Sequence, residues 1–168
     1  MPDWDTHVRR GHPILFGTFI FFSIIELAIS GWLTSRYNSR HDFLSTSVRH
    51  DVAFLVFASV WTLLFSIIYL ALFLRAPGFG IATSVLSHLI FLFVTWVFWL
   101  SGAAALTAAL GGRLNCSHHH FVYCGQLNAL EAFAWIIWVI STFALVVVFL
   151  RAITASRRGD GAKGPLVG

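Results

Sequence analysis

Two cysteines, Cys116 and Cys124, bracket three consecutive histidines in the stretch NCSHHHFVYC, and the chain has no other cysteine. Three chemistries fit these residue types. Thiolates together with His118, His119 and His120 are ligands that zinc and copper accept. The same thiols could instead cycle as a redox couple, or pair as a structural disulfide. Neighbouring histidines in a short loop point in divergent directions, whereas zinc motifs space them by several residues. A redox couple calls for Cys-x-x-Cys or a second, relaying pair, and neither is present. The choice then turns on compartment, because disulfides persist outside the cytosol. Asn115 opens an N-x-Ser acceptor pattern. Its middle residue is Cys116 and an apolar run lies close by, so glycosylation is not expected.

A second set of chemical residues stands inside long apolar runs: Glu26, His88 and Glu131. A charge at the middle of a bilayer costs roughly 2.5–3.5 kcal/mol, so each needs a reason. One reading is a proton or ion path. The other is hydrogen bonding between helices, through Ser23, Thr62, Ser66 or Asn128. Glu26 and Glu131 differ in depth by about one helical turn, close enough that they could share a polar pocket. A path wants a polar ladder through the full thickness, and the inner halves of the runs offer little beyond His88. A bis-histidine haem needs a second histidine at membrane depth, and the other histidines read as terminal or loop residues. No cofactor and no metal is therefore expected.

The elements that hold these residues are four apolar runs. They span Pro13 to Leu33, Val52 to Leu74, Ile81 to Leu110 and Asn128 to Leu150. A bilayer core needs roughly 20 apolar residues per helix, and lipid offers the backbone no partners, so each run is expected to be a helix. The third run is the longest and is expected to tilt or to rise out of the hydrocarbon. The first is too long for a signal-peptide core and is read as a span. Residues 34–51 read as a polar connection, and RAPGFG as a tight turn. Residues 1–12 and 152–168 flank one domain at 13–151. The basic, glycine-rich tail is expected to be partly disordered.

Composition agrees: 58% of the 168 residues are hydrophobic and only 11% charged, too few charges to cover a soluble domain of this size. The net charge of +4 comes from arginines near span ends, which suits anionic headgroups. No Walker loop and no basic-aromatic face for nucleic acid is present.

Four spans put both termini on one side. That side carries Arg9, Arg10, Arg75, Arg151, Arg157, Arg158 and Lys163; the other carries Arg36, Arg40, Arg49 and Arg113. The positive-inside rule makes the termini cytosolic. Cys116 and Cys124 then lie on the far side, where a disulfide is the expected state. Closing a loop of nine residues stabilises by roughly 2.5 kcal/mol in the chain-entropy account. Tyr37, Tyr123 and Trp32 are expected near the outer interface and Tyr69 near the inner one.

Small residues recur in the third run at Ser101, Ala105 and Ala109, and in parallel at Ala104, Ala108 and Gly112. Such a stripe lets another helix approach closely, either a neighbour in the same bundle or a second copy of the chain.

The second run, DVAFLVFASVWTLLFSIIYLALF, and the third, FLFVTWVFWLSGAAALTAAL, resemble the corresponding spans of fungal MARVEL-domain proteins. The cysteine pair followed by LNALEAFAWIIWVISTF resembles that family's fourth span. The resemblance covers roughly residues 12 to 151. His88 departs from it, since an acidic residue is expected near this part of the third span. The resemblance implies an all-α, four-helix transmembrane bundle with cytosolic termini. It also implies a non-enzymatic protein that organises lateral membrane domains or membrane traffic, with sphingolipid as a partner, in the plasma membrane or endomembrane vesicles; the tryptophans within the spans add sterol as a contact, and the small-residue stripe adds self-association. The alternative is a small ion or proton channel or transporter using Glu26, His88 and Glu131.

Overall fold

The computed structural model describes residues 4–75, 85–112, 116 and 122–157. Four helices account for almost all of them: α1 (Trp4–Arg40), α2 (Thr46–Arg75), α3 (Val85–Leu110) and α4 (Cys124–Arg157). All four contain a stretch long and apolar enough to cross a membrane. The helices outrun the apolar stretches. α1 passes through Pro13, which costs one bond of the i→i−4 ladder, and runs on to Arg40. The connection expected over 34–51 is therefore mostly helix, with only residues 41–45 outside α1 and α2. Ser45 opens α2 by accepting the Val48 amide at 3.2 Å, as an N-cap does. His41, in the left-handed region (φ 56°), ends α1 by donating its amide to the Tyr37 carbonyl at 3.1 Å. At the end of α3, Gly111 and Gly112 have φ of 73° and 93°. Their amides bond the Ala108 and Thr107 carbonyls, the paired bonds of a Schellman ending that glycine makes without strain.

The bundle is apolar outside and keeps its polar side chains inside, set among an apolar core. Phe21, Ile24, Leu64, Phe93 and Phe143 are all more than half exposed, while Ser23, Glu26, Ser59, Thr62 and Ser66 are fully buried. A protein folded against water shows the reverse arrangement. A lipid-facing helix needs its apolar residues outside and keeps its polar ones for its neighbours.

The buried positions of α1 are His12, Phe16, Phe19, Ser23, Glu26, Ser30, Leu33 and Tyr37, alternating steps of four and three. In α2, Val48, Val52, Leu55, Ser59, Thr62 and Ser66 keep the same alternation. A seven-residue repeat of this kind drives left-handed supercoiling. The two stripes meet antiparallel. His12 stacks on Phe73 with ring centroids 4.1 Å apart, and Phe16 lies 5.9 Å from Tyr69. Carrying that register along both stripes sets Phe19 level with Ser66, Ser23 with Thr62, Glu26 with Ser59, and Leu33 with Val52. α1 packs on α2 and α4, and α3 packs on the same two, so the helices form an up-down ring with Trp4 and Arg157 at one end.

Candidate functional site

Cys116 and Cys124 are joined in a disulfide, with Cα atoms 5.8 Å apart. No free cysteine remains. Cys124 is the first residue of α4 and is buried, so the bridge ties the α3–α4 connection to the head of a helix. Next to it, Tyr123 adopts φ 67° and donates its hydroxyl to Asp42 at 3.1 Å. Its ring also meets Trp32 and Tyr37 at 5.1 and 6.2 Å. The clamped connection is thus docked onto the α1–α2 turn. Trp32, Tyr37 and Tyr123 sit at this loop end of the bundle and Tyr69 at the opposite end, the distribution expected of interfacial aromatics. Asn115 and the three histidines at 118–120 lie outside the described residues. Among the described residues, no cluster of three metal-ligating side chains occurs.

Glu26 and Glu131 do not join in one hydrogen-bonded pocket. Glu131 accepts the Thr107 hydroxyl at 2.7 Å, and Thr107 accepts the indole N–H of Trp135 at 3.1 Å. Glu131 also lines a groove of about 460 Å³ with Asn128, Ala129, Ala132 and Trp135. Glu26 is fully buried, and neither of its carboxyl oxygens has a hydrogen-bond partner among the described residues. None of the side chains expected to serve it bonds it. Thr62 donates to the Ala58 carbonyl at 2.8 Å, and Asn128 donates to the Cys116 sulfur at 3.4 Å. The hydroxyls of Ser23 and Ser66 are themselves unpartnered. Local back-bonding of this kind is cheap for a helical hydroxyl, and it leaves Glu26 unserved.

His88 is buried, as expected, and it is not alone. His12 lies beside it with Nε2 atoms 3.1 Å apart, stacked between Phe16 and Phe73. The expectation that every other histidine is terminal or in a loop is corrected here: α1 starts well before Pro13 and carries His12 into the bundle.

The small-residue stripe of α3 does not pack inside the bundle. Ser101, Ala104, Ala105 and Ala108 are exposed and Ala109 is half-buried. The close helix approach is made instead by Gly102, where an added Cβ would stand 2.7 Å from Leu55 Cδ2 and 3.2 Å from the Phe54 ring. The tryptophans also take a role that composition did not reveal. Trp61 bonds Thr95 at 3.2 Å and Trp99 bonds Thr62 at 2.9 Å, both between α2 and α3. Trp96 bonds Thr142 at 2.8 Å, and with Trp135 to Thr107 it links α3 and α4 in both directions. Such interhelical bonds average about 0.6 kcal/mol in membranes. Their value here is in register, since each fixes two helices at one depth.

A family model for MARVEL, described as a membrane-associating domain, matches residues 7–147. The chain belongs to the MARVEL family. Comparison with curated proteins and with solved structures returns no match. MARVEL is a membrane-associating family and not a known enzyme family. With four span-length helices, the chain is a multi-pass integral membrane protein. The MARVEL match takes in both polar ends of the bundle, His12 with His88 and the Cys116–Cys124 clamp.

Proposed function

We propose that this protein organises its membrane laterally, through lipid contact and self-association, as a non-enzymatic MARVEL protein of the fungal type. Its termini face the cytosol, and its membrane is the plasma membrane or that of endomembrane vesicles. The observation that supports this is the outward stripe Ser101, Ala104, Ala105 and Ala108. These positions are i, i+3, i+4 and i+7 of one helix, a single face with little side chain to hold a second helix away. In a membrane, association is driven by close packing and not by the hydrophobic effect, so a small-residue face is where a second copy gains most. The groove at Asn128, Glu131 and Trp135 suits lipid contact: alanines form its apolar wall, and a carboxyl meets a hydroxyl-bearing lipid, sterol or sphingolipid.

The test is Ala105→Leu with Ala108→Leu in native-like membranes. The pair faces outward, so the bundle is expected to stay folded while proximity between differently labelled copies is lost. Proximity unchanged from the native chain sinks the self-association reading. A second reading is a small proton or ion conduit, which the buried His12, His88 and Glu26 favour. Proteoliposomes under a membrane potential separate the two: a scaffold adds no flux over empty vesicles, whereas a flux abolished by Glu26→Gln replaces the scaffold with a channel.

A further inference from the structure

Eight buried polar side-chain atoms lack a hydrogen-bond partner among the described residues, and five of them lie on the stretch of one seam between His12 and Glu26. They are His12 Nδ1, Ser23 Oγ, Ser66 Oγ and both carboxyl oxygens of Glu26. Ser23, Ser66 and Glu26 have no exposed surface, and His12 has 6%. All belong to the facing stripes of α1 and α2. Scattered orphans could be accidents of packing, but five on one seam call for a common partner, because an unserved buried polar atom costs about 1–3 kcal/mol.

The spacing says what that partner is. In the α1–α2 register, a polar side chain stands at every level from His12 inward. His12 is followed by Tyr69, whose hydroxyl is bonded to Ser87 on α3, then Ser66, then Ser23 with Thr62, then Glu26 with Ser59. Successive levels are three or four residues apart, on the order of 4.5–6 Å. A water between two polar atoms spans about 5.5 Å, two hydrogen bonds of roughly 2.8 Å. One water per level would span such a column, and each would have the two or more polar partners that buried water requires. Past Ser30 the column closes, because the facing pair Leu33 and Val52 is apolar on both helices and fully buried. At the other end it is bounded by His12, His88 and Tyr69, toward the end of the bundle where α1 begins and α4 stops.

We infer that a file of water molecules occupies the α1–α2 seam from His12 to Glu26, entering from the end of the bundle where α1 begins and α4 stops and ending at the leucine and valine plug. It is a one-sided well. Glu26 exchanges protons with one compartment through it, past His12 on α1, Tyr69 on α2 and His88 on α3. Nothing crosses to the loop side.

Hydroxyl-radical footprinting of the full chain in lipid nanodiscs reads such water directly, because radiolysis oxidises side chains beside trapped water. Phe19, Leu33 and Leu55 are all fully buried, so bulk exposure does not distinguish them. Phe19, level with Ser66, is expected to be oxidised, while Leu33 and Leu55 stay unmodified. Ser66→Val narrows and dries the column and is expected to reduce Phe19 oxidation several-fold in protein with unchanged helicity. An inert Phe19 in the native chain overturns the inference, and that comparison needs no variant to fold. So does oxidation of Phe19 that Ser66→Val leaves unchanged. Oxidation reaching Leu33 and Leu55 overturns the plug.

Discussion

Gly102 offers a substitution whose sign can be worked out in advance. An alanine there puts its Cβ 2.7 Å from Leu55 Cδ2 and within 3.2–3.3 Å of two Phe54 ring atoms. Real Cβ contacts are not this short, so α2 and α3 must part or Leu55 must move, and Leu55 is fully buried. Overpacking of this kind costs about 1–3 kcal/mol. Against it stands the helix preference of alanine over glycine, about 1 kcal/mol. The net is a loss of up to ~2 kcal/mol. Gly31 in α1 supplies the control, since nothing lies within 4 Å of its added Cβ. Gly31→Ala keeps the propensity gain without the clash. The difference between the two variants cancels propensity and leaves the steric part, about 1–3 kcal/mol, or roughly 5- to 150-fold in the unfolding equilibrium. Reversible unfolding in bicelles measures it. Leu55→Val removes the clashing Cδ2, so in the Gly102→Ala background it is expected to recover part of the loss, with a coupling of about 0.5–3 kcal/mol. If Gly102→Ala is as stable as Gly31→Ala, the close α2–α3 approach is wrong.

In native membranes, the Cys116–Cys124 peptide is expected to run two hydrogens light of its reduced form by non-reducing mass spectrometry, and free thiols there contradict the bridge. Fluorescence protection of tagged ends is expected to place Met1 and Gly168 together in the cytosol. Ends on opposite sides refute an even span count, and both outside refutes the arginine argument. Glu131→Gln keeps a hydrogen-bond acceptor for Thr107 and removes the titratable charge, so it is expected to leave copy-to-copy proximity intact where the leucine pair at 105 and 108 abolishes it. Equal loss from both would mean that the stripe and Glu131 belong to one interface.

The four helices were legible because the bilayer makes apolar length informative. Facing was not, because lipid and bundle interior are both apolar and hydrophobicity alone does not mark a side. In α3 the small residues run from Ser101 to Ala109 on almost every side of the helix. One residue of rotation separates Gly102, which meets Leu55, from Ser101, which faces outward. The signal that fixes facing is the polar one. On α1, Ser23, Glu26 and Ser30 follow the buried steps of three and four, and on α2, Ser59, Thr62 and Ser66 follow the same steps. His12 belongs to that pattern too, but beside Arg9, Arg10 and Pro13 it reads as a polar terminus until the helix is seen to begin at Trp4. This turns the question of Glu26 around. Rotating α1 by one residue would replace apolar contacts with others of nearly equal value, yet it would carry Glu26 toward lipid at a cost of roughly 2.5–3.5 kcal/mol. A buried carboxyl with no side-chain partner is poor glue, but it is an effective penalty against the wrong register.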